Sequence, residues 1–433
     1  MFTFKEYFFT EDFEESVYLE EKKKKEIDPE IADIARQIKR ETGRLKLLTV
    51  LSDPKTLKSF ENKAGNLTAV MYLMPAKTSG VSVCPCATDE CEEGCIHYTG
   101  GDFKLPVKEK GRMRRTRWLF GKEDANPYYK RYPATKEGFF QRLQDEMDIF
   151  KAVAYKHNLQ PSIRLNGTSD LNLHKYLEAW RKMNPDVKFY DYTKVVKRAI
   201  DAIKNKSDIH YTVSRSESIQ NNKDAEEYLK LGGNVAVVFD ELPEYYRGYK
   251  VINGDETDLR FLDDTNREQD EQGNHTGVIV GLKMKGNRAN ARFVKNLWDN
   301  KGPEDGFVVR VRELKIRNPQ ALTNKKTGFD SRTPADPDFA KRLYIKKIKN
   351  YMAILGRQSL KDAKLKASPK PESEEQITSP TTNDSNTPKA VVESFMNFLE
   401  KACWKNYKQI GMKMKNGKEV PNCVPKKKKK KKK

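Results

Sequence analysis

The stretch PSIRLNGTSDLNLHKYLEAWRKMNPDVKFYDYTK (Pro161–Lys194) holds one full period of the pattern on which the chain is built. Its first six residues read as a short strand. Leu173, Leu177 and Trp180 recur at the spacing of a helix face, Pro185 stops that helix, and VKFY (Val187–Tyr190) is the next strand. The alternation extends both ways. Upstream, Phe139, Phe140, Leu143, Met147, Phe150, Val153 and Ala154 line a helix, and TAVMYL (Thr68–Leu73) has the composition of a buried strand closed by Pro75. Downstream come a helix on Val195, Val196, Ala199 and Ile200, a strand Ile209–Val213, a helix Ala225–Leu231 ended by Gly232-Gly233, and strands at Val235–Phe239 and Thr276–Leu282. Strands separated by such helices pair in parallel, which predicts an α/β fold. The expected form is a partial or closed (β/α) TIM-like barrel, with a doubly wound sheet as the alternative. In either form ligands gather at the carboxyl ends of the strands.

A cysteine cluster falls at such an end. After TAVMYL the chain reads VCPCATDECEEGCIHY, with Cys84, Cys86, Cys91 and Cys95 among the six cysteines of the whole chain. Thiolates are soft ligands, so a short loop carrying four of them points to an iron–sulfur cluster or zinc. The spacing C-x-C-x4-C-x3-C is neither a zinc ribbon nor a ferredoxin run and does not name the metal. Cys91-x3-Cys95 matches the first two positions of the radical-SAM motif C-x3-C-x2-C, but Tyr98 stands at the third. Two disulfides or four unligated thiols are the plainer alternatives. MFTFKEYFFTEDFEE has acidic residues where the apolar core of a secretory signal belongs, so a reducing cytosol is expected.

Charge and composition divide the chain. Of the formal +21 at neutral pH, the terminal Lys426–Lys433 run supplies 8, leaving +13 for residues 1–425, which favours polyanionic partners. No apolar run of ~18 residues occurs, so no membrane span is expected. Residues 1–27 read as an appended arm. Residues 28–66 form a helical lead-in in which Asp28-Pro29 starts a helix, Ile31, Ile34, Ala35 and Ile38 form a docking face, and Gly43 stops it. The barrel-like domain with its cysteine loop covers 67–360. Residues 361–389, rich in Ser, Thr, Pro and Glu, cannot bury a core and form a linker. A C-terminal module, 390–433, carries a short helix on Val392, Phe395, Met396, Leu399 and Ala402, then Cys403, Cys423 and the lysine tail.

Polar residues crowd the strand ends. Arg164, Asn166, Ser169 and Asp170 follow the first strand of the opening stretch, and Asp191 and Lys194 the second; Ser214 and Asp240 close the next two. Helix capping, worth ~1 kcal/mol per cap, explains about one residue per turn. The surplus predicts a pocket with Asp191 and Lys194 as acid–base residues and Arg164, Asn166, Ser169, Asp170, Ser214 and Asp240 as substrate contacts. His97 is an alternative ligand or proton carrier, with solvent exposure as its plainer account. In KEKGRMRRTRW, the residues Arg112, Arg114, Arg115, Arg117 and Trp118 offer guanidinium groups for phosphates and a ring for stacking, so nucleic-acid contact is a second expectation and a solvated helix face its plain counterpart.

Several of these motifs occur together elsewhere. SG-x3-CPCATDEC-x3-C-x3-TG, then RMRRTR-x-LF, RLNGTSDL, PDVKFYDYTK and TGVIVGLK, in that order between Leu67 and Lys285, resemble the phage gene product 88 domain family. That family is similar to radical-SAM barrels. The resemblance implies a cysteine-bound cluster at a βα barrel mouth and S-adenosylmethionine as a co-substrate, with Tyr98 a departure from that pattern. FTFKEYFF and WKNYKQIGMKMKNGKEVPNCVP are similar to terminal segments that recur on proteins of marine tailed phages. They imply a phage origin and a place in the host cytoplasm or the virion. Three functions are thus expected: a radical-SAM-like metalloenzyme, a basic nucleic-acid-binding protein with a structural zinc knot, or a virion or assembly protein whose C-terminal module docks it to other virion proteins.

Overall fold

The computed structural model describes residues 29–42, 47–61, 65–95, 97, 106–121, 132–269, 273, 275–336, 338–339, 342–350, 353, 407–415 and 418–425. The arm at 1–27, Tyr98, the linker at 361–389, the helix expected around Val392 and Cys403 lie outside them. The chain divides into two units, Met1–Lys361 and Asp362–Lys433.

Helix α1 (Pro29–Thr42) buries Ile31, Ile34 and Ile38, the stripe its periodicity predicts. Strand β1 (Leu48–Val50) then runs antiparallel to β2 (Asn66–Met71), with α2 (Pro54–Glu61) between them in sequence. After β2 come the cysteine loop with its short helix α3 (Asp89–Glu93), then α4 (Pro106–Leu119) and α5 (Lys136–Lys156). The regular cycle follows: β3 (Gln160–Arg164), α6 (Glu178–Met183), β4 (Lys188–Thr193), α7 (Val196–Lys204), β5 (Ile209–Ser214), α8 (Ile219–Lys230) and β6 (Asn234–Phe239). Neighbours from β2 to β6 pair in parallel. From β2 to β6 this order does not reverse, which is consistent with a barrel-like β/α arrangement.

Beyond β6 the sheet is irregular. A tight hairpin, β7 (Tyr245–Tyr246) and β8 (Tyr249–Asn253), turns through Arg247 and Gly248, both at positive φ. A single turn spans Arg260–Asn266, and a two-stranded ladder joins β9 (Glu268–Gln269) to β10 (His275–Thr276). Strand β11 (Ile279–Lys283) then enters between β6 and β8, parallel to both. Helix α9 (Asn287–Trp298) and strand β12 (Val308–Val309) follow, and α10 (Val311–Arg317) leaves the sheet. β5 pairs with the first half of β6 and β12 with its end. The result is a mixed α/β fold with a mostly parallel sheet, ordered β1-β2-β3-β4-β5-β6-β11-β8-β7 and flanked by helices; no ladder joins β1 to β7 among the described residues.

Side-chain alternation gives the sheet two different faces. Ala69, Met71, Ile163 and Phe189 join Phe139, Leu143, Met147 and Phe150 of α5 in one apolar core, while Val213, Val235, Val237 and Phe239 join α7 and α8 in another. The opposite face carries Thr68 and Ser162, whose hydroxyls meet at 2.9 Å, then Arg164, Tyr190 and Tyr192. It is covered by the segment around Asp258–Asp264: Phe261 packs edge-on against Tyr190, and Asn234 donates to Asp264 at 2.8 Å.

The second unit is described only over an antiparallel hairpin, β13 (Tyr407–Lys415) and β14 (Lys418–Pro425), whose register shifts between Gln409 and Met412. Asn416-Gly417, a pair suited to a tight hairpin turn, lies between the strands in sequence.

Candidate metal centre and strand-end site

The cysteine loop leaves β2 and is fastened on several sides. Thr116 of α4 accepts the amide of Met74 at 2.8 Å, and Arg115 donates through Nε to the carbonyl of Tyr72 at 3.0 Å. The turn after β3 holds the next part: Asp170 donates its amide to Val83 O, the Cys84 thiol donates to Thr168 O at 3.9 Å, and Thr168 Oγ1 donates to Leu73 O at 2.5 Å. Gly167 lets this turn approach, because a Cβ there would lie 2.6 Å from the Tyr72 ring and 2.8 Å from Met71 O.

Helix α3 carries Cys91 and leads to Cys95. Thr88 caps it by accepting the amide of Cys91 and also donates to Glu217. Glu90, within the same turn, is buried and accepts from Asn296 Nδ2 at 2.9 Å, Lys301 Nζ at 2.6 Å and the amide of Phe307 at 2.6 Å, with Arg292 at 3.4 Å. Burial works against its charge, but these donors outweigh it and hold the carboxyl below its ordinary value. The α3 turn is thereby tied to α9 and to the segment before β12.

The four cysteines are free thiols, Cys86 exposed and the other three partly buried. Burial pushes the Cys84 thiol up to about 12, with Cys95 and Cys91 adding to it, and the Cys95 thiol up to about 11, again with Cys91 beside it. Cys84, Cys91 and Cys95 are therefore within electrostatic reach of one another. Among the described residues no three His, Cys, Asp or Glu side chains stand in a ready-made metal-holding arrangement. The donor chemistry nonetheless suits a soft cation, whose binding displaces the thiol protons that burial retains. His97 is buried and its Nδ1 is hydrogen-bonded to Arg112.

The other strand-end residues divide into distinct groups. Asp191 faces the helices: its carboxylate accepts the amide of Asn166 at 2.8 Å, Asn166 Nδ2 at 3.0 Å and His174 Nε2 at 2.6 Å. Asn166 Oδ1 in turn accepts from Ser169 Oγ and from the amide of Leu171. Asp170 accepts from Thr193, from the amide of Lys194 and from Arg198, and burial raises its carboxyl. Lys194 donates to Arg215 O at 3.2 Å. Ser214 ends β5 half-buried. Asp240 accepts the amide of Val311 and the hydroxyl of Tyr344. Asn166, Ser169, Asp170 and Asp191 thus form an interlocked brace beneath the cysteine loop, and Asp240 ties down the chain after β12.

Arg164 belongs to the opposite face. It donates to both oxygens of Asp258, at 2.9 and 3.2 Å, and lies over the Tyr192 ring at 4.5 Å. Burial would raise the Asp258 carboxyl, but Arg164, Lys55 and Arg260 outweigh it and hold it low. Lys55, Asp258, Arg260 and Asp263 carry no local mark in the sequence; the cluster forms only when residues about a hundred positions apart meet.

On α4, Arg112 is buried over the Tyr72 ring, and Arg115 is turned to the Tyr72 carbonyl. Trp118, expected to offer a stacking ring, is 1% exposed, packs edge-on against Phe139 and donates to Pro133 O. Arg114 lines a shallow surface recess with Glu109, Lys110 and Met113, and Arg117 is exposed. No helix among the described residues is long and apolar enough to cross a membrane.

A sequence model of the family described as gene product 88 matches residues 35–297, more than half of the chain, from within α1 to the end of α9. No curated protein and no solved structure matches the chain.

Proposed function

The chain belongs to the gene product 88 family, and on that footing we propose that its cysteine loop holds an iron–sulfur cluster or zinc at the carboxyl rim of the parallel strands. Cys84, Cys91 and Cys95 are the inner ligands and Cys86 the outer one. The observation that carries this is that three partly buried thiols sit on one loop fastened from three sides, on the carboxyl side of the first parallel strand. Isolated thiols need no such brace.

The chain's own residues set the site in place. Glu90 fixes the turn bearing Cys91, the Asn166–Asp191 pair fixes the turn that holds Cys84, and Arg112 and Lys55 place positive charge beside Cys95, which favours its thiolate. A bound cluster would supply one-electron chemistry, whereas zinc would supply Lewis acidity or a structural tie. Cys84, Cys91 and Cys95 would hold such a cluster, and the family's resemblance to radical-SAM barrels makes S-adenosylmethionine the co-substrate to test.

Anaerobic purification of the full chain, with iron, zinc and sulfide analysis and an absorption spectrum, tests the reading. A stoichiometric centre is expected, lost in Cys84→Ser, Cys91→Ser or Cys95→Ser. Its retention in Cys86→Ser identifies the three-thiolate cluster, and its loss there a four-thiolate site. Wild-type protein with neither iron nor zinc overturns the proposal.

A further inference from the structure

We infer that Lys55, Arg164 and Arg260 form a subsite for the oxyanion of a small ligand, a phosphate or a carboxylate, beside the cysteine loop; its role in a reaction there rests on the reading of that loop above. The face of the sheet that turns away from the helices gathers more cationic donors than it satisfies. Asp258 is engaged by Arg164, and Asp53 is engaged by the amides of Lys55 and Thr56 at 2.8 and 3.2 Å. Two cations are left short. Arg260 is fully buried, yet its Nε and Nη1 have no hydrogen-bond partner, and Nη1 stands 3.4 Å from Asp263. Arg164 Nε is likewise without one.

Lys55 connects this cluster to the loop. It lies within electrostatic reach of Arg164, Asp258 and Arg260 on one side and of Cys95 on the other. Burial, then Arg164, lowers its pKa, as expected of an ammonium crowded by other cations. Buried donors without acceptors carry a desolvation penalty, so an arriving oxyanion would relieve a standing cost rather than compete for satisfied groups. Lys55, Tyr192 and Asp258 at the cluster are half-buried rather than fully enclosed. Of the carboxylates on this face, Asp53 and Asp258 are engaged, while Asp263 Oδ2 has no hydrogen-bond partner and stands 3.4 Å from Arg260 Nη1.

Calorimetric titration of the full chain with sodium phosphate and with sodium acetate, each against sodium chloride of equal ionic strength, tests this. Saturable binding of phosphate or of acetate above the chloride control is expected and tells which oxyanion the subsite takes. Lys55→Met should weaken that binding at least about tenfold, and Lys55→Arg should largely restore it. Binding of neither oxyanion, or binding indifferent to Lys55→Met, overturns the subsite. A metal-free chain that still binds an oxyanion through Lys55 sinks only the metal reading, and a metal-bearing chain blind to both anions sinks only the subsite.

Discussion

Asp191 and Tyr192 are neighbours on β4 and look to opposite sides of the sheet. On the helix side, Asp191 is enclosed by Asn166 and His174, and the surrounding turns close on one another through Ser169, Thr193 and Arg198. On the other side, Tyr192 lies under Arg164, and nearby Arg260 has no hydrogen-bond partner for Nε or Nη1, with Asp263 3.4 Å from the latter. The helix-side cluster leaves one buried atom, His174 Nδ1, without a hydrogen-bond partner, whereas the other side leaves Arg164 Nε and Arg260 Nε and Nη1 so; the first is chiefly a brace and the second is poised for a ligand. The same strand end serves both, one residue apart.

The sharpest way to break that contrast is Asp191→Ala. It would leave the amide and Nδ2 of Asn166 and Nε2 of His174 without their buried acceptor, so urea unfolding should show a loss of roughly 3–5 kcal/mol. A loss under ~1 kcal/mol would mean that the helix side is no brace. Gly167→Ala comes next. The new Cβ meets the Tyr72 ring and Met71 O, so a destabilisation of roughly 1–3 kcal/mol is expected, with faster alkylation of Cys84 as the turn lets go; unchanged alkylation would separate the turn from the loop. Glu90→Gln keeps the shape but loses the charge facing Lys301 and Arg292. It should cost ~1–2 kcal/mol and lower metal retention, and full retention would show that α3 does not depend on this anchor.

A pH titration sharpens the unsatisfied side. Burial lifts the Asp263 carboxyl to about 7, with Asp264 and Asp258 adding, above its unfolded value of about 3.9. The folded state therefore holds this proton more tightly, and the group withdraws stability as pH rises through that interval. Asp263→Asn removes the withdrawal. The difference, variant minus wild type, should be flat below about pH 4, grow towards about pH 7 and level off above it. A flat difference throughout would place Asp263 in water.

The βα rhythm was legible because TAVMYL and VAVVF are apolar runs bounded by turn residues, and the observed strands β2 and β6 fall on them. The expected strand Thr276–Leu282 starts instead at Ile279, since Thr276 pairs with Glu268 in the small ladder. The β7–β8 hairpin escaped notice because its first strand is only Tyr245–Tyr246; its signal was the Arg247-Gly248 pair, which the turn holds at positive φ. At the strand ends, residue type marked Asn166, Asp170 and Asp191 but not their direction. A one-residue alternation decides direction, and loose turns obscure it. Glu90 carries no local mark among the acidic residues of ATDECEEG, because its partners Asn296, Lys301 and Phe307 lie about two hundred residues away.

The claim on which the rest stands is that Cys84, Cys91 and Cys95 share one metal centre. Alkylation of the anaerobically purified chain, followed cysteine by cysteine by mass spectrometry before and after chelation, tests it most directly. Cys84, Cys91 and Cys95 should be protected together and released together when the metal is removed. Reaction of all three at rates that chelation does not change would contradict the account.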